Sequence, residues 1–463
     1  PCAVPLPFDR SRDDGDDSSF ARGLRILRVV AERPGTRADE LAAQLAIPVS
    51  TVYRYLRTLA DAGFVERRGS TYHLDPAIVI GGGLKADNEE VWTRIVALAG
   101  GKGARFVVLG TASEDPVGSA KDAVDSLTKR GAVAEVLPVS PMLKDTPIDQ
   151  AVKDPALIAK VRAARGIYFT GGAQERIVDH LYPGGKATPL LEAIWDVYRS
   201  GGVVAGTSAG AAIMSATMFR DAPNVLGVMK GEFRDGHEVD RGLGFVGPDL
   251  FVDQHFLKRG RFGRMIPLMQ ARGYVLGLGV EENSAAVVHG DTAEIVGGKA
   301  MLVDLSEART DAALGAFNLK NIRIALLDRG DRVALKTHVV TPSALKLKSQ
   351  KLDPQAPDYK PYNDNDPFYI DMFGDGTIAS AMSFLIDSNR AEVLGIAFDP
   401  RAAAKDPKAR QGFSFRVYKG PGSVGWYNED FGGEDYTILN LYLDIAPIRM
   451  ADPMYTPWTP AAN

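Results

Sequence analysis

The stretch GGVVAGTSAGAAIMS, residues 201–215, places a serine between an apolar run and a run of small residues. The run Val203–Ala205 is typical of a buried strand, and the following GTSAG is typical of a sharp turn into a helix. Glycines on both sides of Ser208 relieve crowding at such a turn, and the helix N-terminus offers backbone donors to an oxyanion. A phosphate-binding turn or a structural turn with a serine cap fits the same pattern. Ser208 is therefore a candidate nucleophile that needs partners elsewhere in the chain.

Similar apolar runs, each followed by a turn of small residues, precede this one. They are AIVIGGG (77–83), ARFVVLGTAS (104–113), AVAEVLPVS (132–140) and GIYFTGGAQ (166–174). Helical stretches such as NEEVWTRIVALAGG (88–101) and SAKDAVDSLTKRG (119–131) separate them. Alternating strands and helices predict an α/β fold, a doubly wound and mostly parallel sheet with a nucleophile elbow, over residues 77–306. Ligands bind at the carboxyl ends of such strands, where these turns fall.

The remaining regions differ in pattern. Residues 1–19 mix proline, aspartate and serine without periodicity, which predicts a disordered leader. Residues 20–76 have three short helical patterns and an alternating hairpin, which predict a winged helix-turn-helix. Residues 307–463 contain candidate strands such as GFSFRVYKG and DYTILNLYLDIAPI, which predict a β-rich accessory region.

Composition excludes some classes of protein. The chain of 463 residues is 45% hydrophobic and 24% charged with a formal net charge of −4, which favours neither a nucleic-acid coat protein nor a membrane-surface binder. Its one cysteine, Cys2, excludes a disulfide framework or a multi-cysteine zinc site. No apolar run reaches membrane-spanning length and no leader peptide stands out. We expect no membrane association and a cytoplasmic location, with secretion as the alternative.

The helix-turn-helix pattern, RGLRILRVVAERPGTRADELAAQLAIPVSTVYRYLRTLADAGFVER, resembles the N-terminal DNA-binding domain of the IclR family of bacterial regulators. On that resemblance the third helix enters the major groove, and Arg67 and Arg68 in the wing approach phosphates. The residues that the third helix presents to DNA would be Ser50, Thr51, Tyr53, Arg54 and Arg57. A protein-interaction module and a functionally inert head are the alternatives.

A serine nucleophile needs a base, and a third group that orients the base. Of the six histidines, His255 has the context least like core packing. In GPDLFVDQHFLKRGRFGRM it stands in a polar group after an apolar run, and a basic segment follows it. The acid is expected at another strand end, and Glu281 or Glu282 in YVLGLGVEENSAAVV fits. A surface hairpin turn would also explain this pair of glutamates.

Three arginines, Arg259, Arg261 and Arg264, follow His255 closely. Their rigid forks next to a candidate base indicate a pocket for an acidic substrate, although a phosphate would fit as well. We predict no metal, because Asp253 and His255 lack further ligands at informative spacing. We predict no cofactor either, because a dinucleotide site at the glycines of residues 81–83 would leave Ser208 and the arginines unexplained.

The segments GTSAGA, GGAQ, DQHFLKRGRFGR and GVEENSA occur in the order and nearly the form found in cyanophycinases, serine peptidases related to dipeptidase E. This resemblance implies a triad of Ser208, His255 and Glu282. The backbone N–H groups of Ala209 and of Gly172, in a neighbouring strand-end turn, are our candidates for the oxyanion hole. The substrate pocket that it implies is formed by Gln174, Asp253, Gln254, Arg259, Arg261 and Arg264. The chain has Ala173 where the family usually has aspartate.

Cyanophycin is a poly-aspartate chain with arginine on each side-chain carboxyl, and the resemblance implies an exopeptidase that releases β-Asp-Arg dipeptides from it. A DNA-binding regulator that senses acidic peptides, or a dipeptidase for Asp-X peptides, are the alternatives. The relatives suggest a homodimer, and a winged helix would also gain from a two-fold partner.

Overall fold

The structure is a computed structural model that describes residues 22–23, 25–26, 29–30, 36–61, 65–68, 71–73, 76–221, 224–401, 408–429, 435–451 and 454. The expected leader, residues 1–19, lies outside the described residues. The chain divides into two units: the larger contains Pro76–Tyr198 and Gly202–Asn463, and the smaller contains the residues before Pro76 with Arg199–Gly201. Within the described ranges, no helix is both long and apolar enough to cross a membrane.

The smaller unit has the winged helix-turn-helix pattern. Its elements are β1 (Thr36–Arg37), α1 (Ala38–Leu45), α2 (Val49–Asp61), β2 (Glu66–Arg68) and β3 (Thr71–His73). Strand β3 pairs with both β1 and β2, as the hairpin pattern predicts. Apolar residues of both helices share one core with helical residues near the N-terminus, and this core contains Ile26, Val29, Val30, Ala38, Leu41, Ala42, Ile47, Val52, Leu56 and Val65.

Among the described residues, the larger unit contains two nine-stranded sheets, a small sheet formed by β9 and β10, and the helices that cover them. Its strands are β4 (Pro76–Ile80), β5 (Arg105–Leu109), β6 (Val133–Leu137), β7 (Gly166–Phe169), β8 (Val203–Thr207), β9 (Thr217–Phe219), β10 (Val239–Arg241), β11 (Leu250–Gln254), β12 (Leu276–Val280), β13 (Ala285–His289), β14 (Thr292–Val296), β15 (Ala300–Asp304), β16 (Leu319–Leu327), β17 (Arg332–Ala334), β18 (Val339–Thr341), β19 (Gln350–Leu352), β20 (Phe368–Tyr369), β21 (Glu392–Ala397), β22 (Gln411–Asn428) and β23 (Asp435–Arg449).

Most helices of the larger unit connect consecutive strands of the first sheet along the chain. The helices are α3 (Glu89–Leu98), α4 (Pro116–Lys129), α5 (Ile148–Ala151), α6 (Pro155–Ala163), α7 (Gln174–Leu181), α8 (Pro189–Arg199), α9 (Ala209–Ala212), α10 (Val225–Met229), α11 (Phe262–Arg272) and α12 (Thr377–Ile386). Aspartate or asparagine side chains cap several of them: Asn88 accepts from the N–H of Val91, and Asp115 accepts from that of Gly118.

The first sheet has the strand order β18-β17-β14-β13-β4-β8-β7-β5-β6. The strands from β4 to β6 in that order are parallel, and the others are antiparallel. Alternate residues of one strand enter different cores: Val107 and Leu109 face one, and Phe106 and Val108 the other. A sheet buried on both faces is what continuous apolar runs predict. The doubly wound α/β fold is thus confirmed.

The second sheet joins the C-terminal region to the rest of the larger unit. Its order is β11-β12-β15-β16-β23-β22-β21-β20, and β19 pairs with β22. Strands on both sides of the expected boundary at residue 306 pair directly, as β15 does with β16, and β17 and β18 extend the first sheet. The β-rich composition is confirmed, and residues 307–463 pack as part of the same compact unit.

Candidate active site

The turn after β8 holds Ser208 in a strained backbone conformation. Its φ is 54° and its ψ is −110°, which L-residues adopt rarely. The neighbouring glycines are required sterically: a Cβ at Gly206 would lie 2.1 Å from the carbonyl oxygen of Gly210, and one at Gly210 would lie 2.5 Å from that of Phe169. The Gly-x-Ser-x-Gly spacing therefore reflects close packing of the turn between β7, β8 and α9.

Three side chains form a hydrogen-bonded chain that starts at this turn. Ser208 Oγ lies 2.8 Å from His255 Nε2, and His255 Nδ1 lies 2.6 Å from Glu282 Oε1. His255 follows β11 and Glu282 follows β12, two neighbouring parallel strands. Their carboxyl ends meet at one edge, which brings together residues that are far apart in sequence.

The surroundings of His255 favour the neutral form of its imidazole. Burial lowers the pKa of His255 below its ordinary value; the hydrogen bond to Glu282 opposes this, while the positive charges of Arg259 and Arg261 reinforce it. A neutral imidazole at neutral pH can accept a proton, so this electrostatic environment suits a general base.

The carboxylate beside His255 is held in its ionised form. Burial alone would raise the pKa of Glu282, but hydrogen bonds from Lys258 and His255 hold that pKa below its usual range. Lys258 Nζ donates to Glu282 Oε2 over 2.9 Å, which leaves Oε1 for the imidazole.

The neighbouring carboxylate has a different role. Glu281 Oε2 accepts hydrogen bonds from the backbone N–H groups of Leu257 and Lys258. It therefore fixes the loop that carries His255, and it makes no contact with the imidazole among the described hydrogen bonds. Of the two glutamates that the sequence left as alternatives, Glu282 contacts the imidazole and Glu281 contacts the backbone.

The end of β4 connects the segments that carry these side chains. Three consecutive carbonyls, those of residues 80–82, accept the backbone N–H groups of Ser208, His255 and Asn283 over 3.0, 2.7 and 2.7 Å. A Cβ at Gly82 would lie 2.2 Å from the His255 ring. The glycines of residues 81–83, which formally fit a dinucleotide-binding motif, are thus explained by their contacts with the loops of His255 and Glu282.

A cavity of about 980 Å³ opens beside Ser208 and His255. Its wall carries charges of both signs, together with the stacked rings of Trp92 and Tyr168. The charged groups that line it are Asp87, Asp122, Asp125, Lys129, Arg130 and Arg259.

Arg259 is the member of the arginine cluster that lines this cavity. Arg264, in contrast, forms a bidentate pair with Asp253 over 2.6 and 2.7 Å, and both residues are only 3% exposed. Arg261 donates to the backbone and side-chain oxygens of Gln254 over 2.8 and 2.5 Å. These four residues form a buried polar cluster next to His255, with their charged groups directed at one another.

Gln174, the remaining residue of the expected pocket, donates from Nε2 to the carbonyl of Phe219 over 2.7 Å. The Phe219 ring in turn lies 4.4 Å below the guanidinium of Arg264. Gln174 therefore connects to the buried cluster through Phe219.

The expected oxyanion donors lie beside the elbow. Ala209 is the first residue of α9, where a backbone N–H has no partner within the helix. Gly172 lines the cavity together with Ser208 and has a φ of 138°. A Cβ on its neighbour Gly171 would lie 3.1 Å from Ser208 Cβ, so this turn approaches the serine closely.

In the smaller unit, α2 presents the expected DNA-contacting residues on the side opposite its core. Val52 and Leu56 are fully buried. Among the five residues, Thr51 is half-buried and the others are exposed: Ser50, Tyr53, Arg54 and Arg57.

A strained serine at a strand-to-helix turn, hydrogen-bonded to an imidazole that follows one of two parallel strands, defines a serine hydrolase. Residues 77–296 match the model of peptidase family S51. The cyanophycinases of Trichormus variabilis and Geminocystis herdmanii are 30% and 31% identical to the chain over 284 and 281 residues, which is 59% and 58% of this chain and 89% and 96% of theirs. The chain belongs to peptidase family S51 and is a serine peptidase.

The smaller unit has its own relatives. Residues 19–69 match the model of the IclR helix-turn-helix domain. The transcriptional repressor IclR of Escherichia coli is 37% identical over 79 residues, which is 15% of this chain and 29% of the repressor. The chain thus combines an IclR-type helix-turn-helix with a peptidase.

Sequence reasoning missed several residues of the site. Lys258, which contacts Glu282, lies inside the DQHFLKRGRFGR segment, and its position between base and arginines could have revealed it. Trp92, Asp122 and Tyr168 line the cavity, but they lie on elements whose pattern indicates only packing or solvent exposure.

Proposed function

We propose that this chain is a serine exopeptidase that hydrolyses the poly-aspartate backbone of cyanophycin to β-Asp-Arg dipeptides through a triad of Ser208, His255 and Glu282. The observation that carries the proposal is the hydrogen-bonded chain from Ser208 Oγ through the imidazole to Glu282. An alcohol, a neutral base and an ionised acid in this order are the groups that acyl transfer to serine requires.

In the first step, His255 Nε2 takes the hydroxyl proton while Ser208 Oγ attacks the scissile carbonyl carbon. The C–N bond then breaks, and His255 gives the proton to the leaving amine. In the second step, the imidazole removes a proton from water, which attacks the acyl-enzyme and releases the acid product and Ser208. Glu282 orients the ring and stabilises the imidazolium that forms twice in the cycle.

The tetrahedral intermediates carry negative charge on the former carbonyl oxygen. We assign its stabilisation to the backbone N–H groups of Ala209 and Gly172, which flank Ser208 from α9 and from the turn after β7. Each donor of this kind contributes about 3 kcal/mol to transition-state stabilisation.

The charges of the cavity support a substrate with charges of both signs. Arg259, on the His255 side, is suited to a free carboxylate, whereas Asp122 on α4 is suited to a guanidinium. The neighbouring Asp125 forms an ion pair with Lys121. Each residue of cyanophycin carries a carboxylate and a guanidinium, so it matches this wall better than a purely acidic peptide does. The buried cluster of Asp253, Gln254, Arg261 and Arg264 contributes by fixing the loop that carries Arg259, and Gln174 supports it through Phe219.

The test is incubation of the purified chain with cyanophycin, with product identification by mass spectrometry. We expect β-Asp-Arg from the unmodified chain and none from Ser208→Ala, which should still bind the polymer. Turnover by Ser208→Ala at the unmodified rate contradicts the triad. Hydrolysis of Asp-X dipeptides with no release from the polymer would instead identify the dipeptidase.

We propose a second function, DNA binding by the smaller unit, because α2 exposes Arg54 and Arg57 opposite its buried face. Two such helices in a homodimer would contact successive major grooves. Electrophoretic retardation with DNA fragments from the organism's own genome tests this function. Loss of retardation in Arg54→Ala and Arg57→Ala is expected, with Ser208→Ala as the control that keeps it. Equal retardation by all variants contradicts the assignment.

A further inference from the structure

The segment Asp371–Gly376, which belongs to the C-terminal region beyond the family match, lies against the loop that carries His255. We call residues 255–264 the catalytic loop. The segment connects β20 to α12, and its residues contact the catalytic loop by packing and by a backbone hydrogen bond.

Phe373 makes the packing contacts. A Cβ at Gly260 would lie 2.4 Å from Phe373 Cα, and one at Gly263 would lie 2.3 Å from its ring, so both glycines leave room for this phenylalanine. The Phe373 ring also packs against Phe262 and Phe415, with centroids 5.7 and 5.5 Å apart. Phe373 thus joins the catalytic loop to the long strand β22.

A backbone hydrogen bond fixes the loop closer to the imidazole. The N–H of Gly376 donates to the carbonyl of Leu257 over 3.1 Å, while the N–H of Leu257 donates to Glu281. Leu257 is therefore held from both sides, two residues after His255. His255 itself has a φ of 47°, a conformation that persists only where its surroundings impose it.

We propose that Phe373 is a positioning residue for the peptidase reaction: it holds the catalytic loop so that the imidazole of His255 stays within hydrogen-bond reach of Ser208. This inference rests on the proposed roles of Ser208 and His255. It gives the C-terminal region a function in catalysis, since the region supplies a wall that residues 77–296 lack.

The test measures the reactivity of Ser208 without a substrate, as the second-order rate of labelling by a fluorophosphonate in the full chain. The rate is normalised to the folded fraction determined by circular dichroism. We expect Phe373→Ala to label at least tenfold more slowly than the unmodified chain. Phe373→Leu restores part of the side-chain volume, so its labelling rate should lie between those of Phe373→Ala and the unmodified chain. Gly263→Ala places a methyl group where it collides with the Phe373 ring, so this variant should also label more slowly.

Two controls separate positioning from general stability. Ile370→Ala changes a side chain that is 73% exposed and lies directly before the segment Asp371–Gly376. Phe413→Leu changes a buried ring of β22 that packs against Phe317. Both should label at the unmodified rate. Labelling of Phe373→Ala at that rate, or equal slowing in Phe413→Leu, overturns the inference. If the unmodified chain is not labelled at Ser208, the proposed function itself fails.

Discussion

Replacing Glu282 by glutamine removes the negative charge beside His255 while keeping a side chain of the same shape. The bond concerned is 2.6 Å long, so the centres of the carboxylate and imidazolium charges lie about 4 Å apart. At an effective dielectric constant of about 20, their attraction is about 4 kcal/mol, which corresponds to a factor of about a thousand in rate. Because glutamine can still accept a hydrogen bond, we expect kcat on cyanophycin to fall by about a hundredfold to a thousandfold.

The pH profile of kcat/KM gives a second readout. The carboxylate raises the pKa of His255, so its removal lets burial and the nearby arginines lower that pKa further. The base then stays deprotonated at lower pH, and the acid limb of the profile should move to lower pH. Glu281→Gln is the matched control: its amide oxygen can still accept from Leu257 and Lys258, so kcat should fall less than tenfold. A larger loss in Glu281→Gln than in Glu282→Gln would refute the assignment.

Three further predictions follow from individual contacts. Arg259→Gln should raise KM for cyanophycin about tenfold, the loss of one charge-assisted hydrogen bond, with little change in kcat, and Arg259→Lys should recover part of the affinity; an unchanged KM excludes the proposed carboxylate contact. Asp253→Asn leaves Arg264 as a buried cation without its ionised partner, so the free energy of unfolding in urea should fall by about 3–5 kcal/mol; a stability equal to that of the unmodified chain contradicts this reading. Lys258→Met removes the cation that offsets the negative charge of Glu282, so this carboxylate should raise the pKa of His255 further. The acid limb of the pH profile should then move to higher pH, and a move to lower pH contradicts the predicted direction.

The sequence predicted the parallel part of the first sheet because its central strands, β4, β8 and β7, are buried on both faces and therefore have continuous apolar runs. The elbow was equally accessible, since Gly206, Ser208 and Gly210 lie within five residues; Gly206 packs against Gly210 in the same turn, and Gly210 packs against Phe169 of β7. His255 stood out because polar residues interrupt an apolar context there.

Other features depend on contacts that spacing along the chain does not encode. Arg259 lines the cavity whereas Arg264 is buried against Asp253, yet all three residues lie in the same twelve-residue segment. Arg264 lies in the first turn of α11, Asp253 lies in β11, and Arg259 lies in the loop between these two elements. In the same way, the match of residues 77–296 gives no indication that Phe373 packs on the catalytic loop.

The backbone conformations at the site explain why its glycines and its catalytic candidates occur together. Ser208, His255 and Asn283 all have positive φ, at 54°, 47° and 54°, and each conformation costs free energy relative to ordinary backbone. Each of the three donates its N–H to one of the consecutive carbonyls of residues 80–82, so a single strand end compensates for strain in three segments. That arrangement requires glycine at positions 81 and 82. A Cβ at Gly81 would collide with the carbonyl of Glu281, and a Cβ at Gly82 would collide with the imidazole of His255. The glycine run after β4 is therefore as much a part of the site as the serine, because it lets three separate loops bind the same strand end by backbone hydrogen bonds.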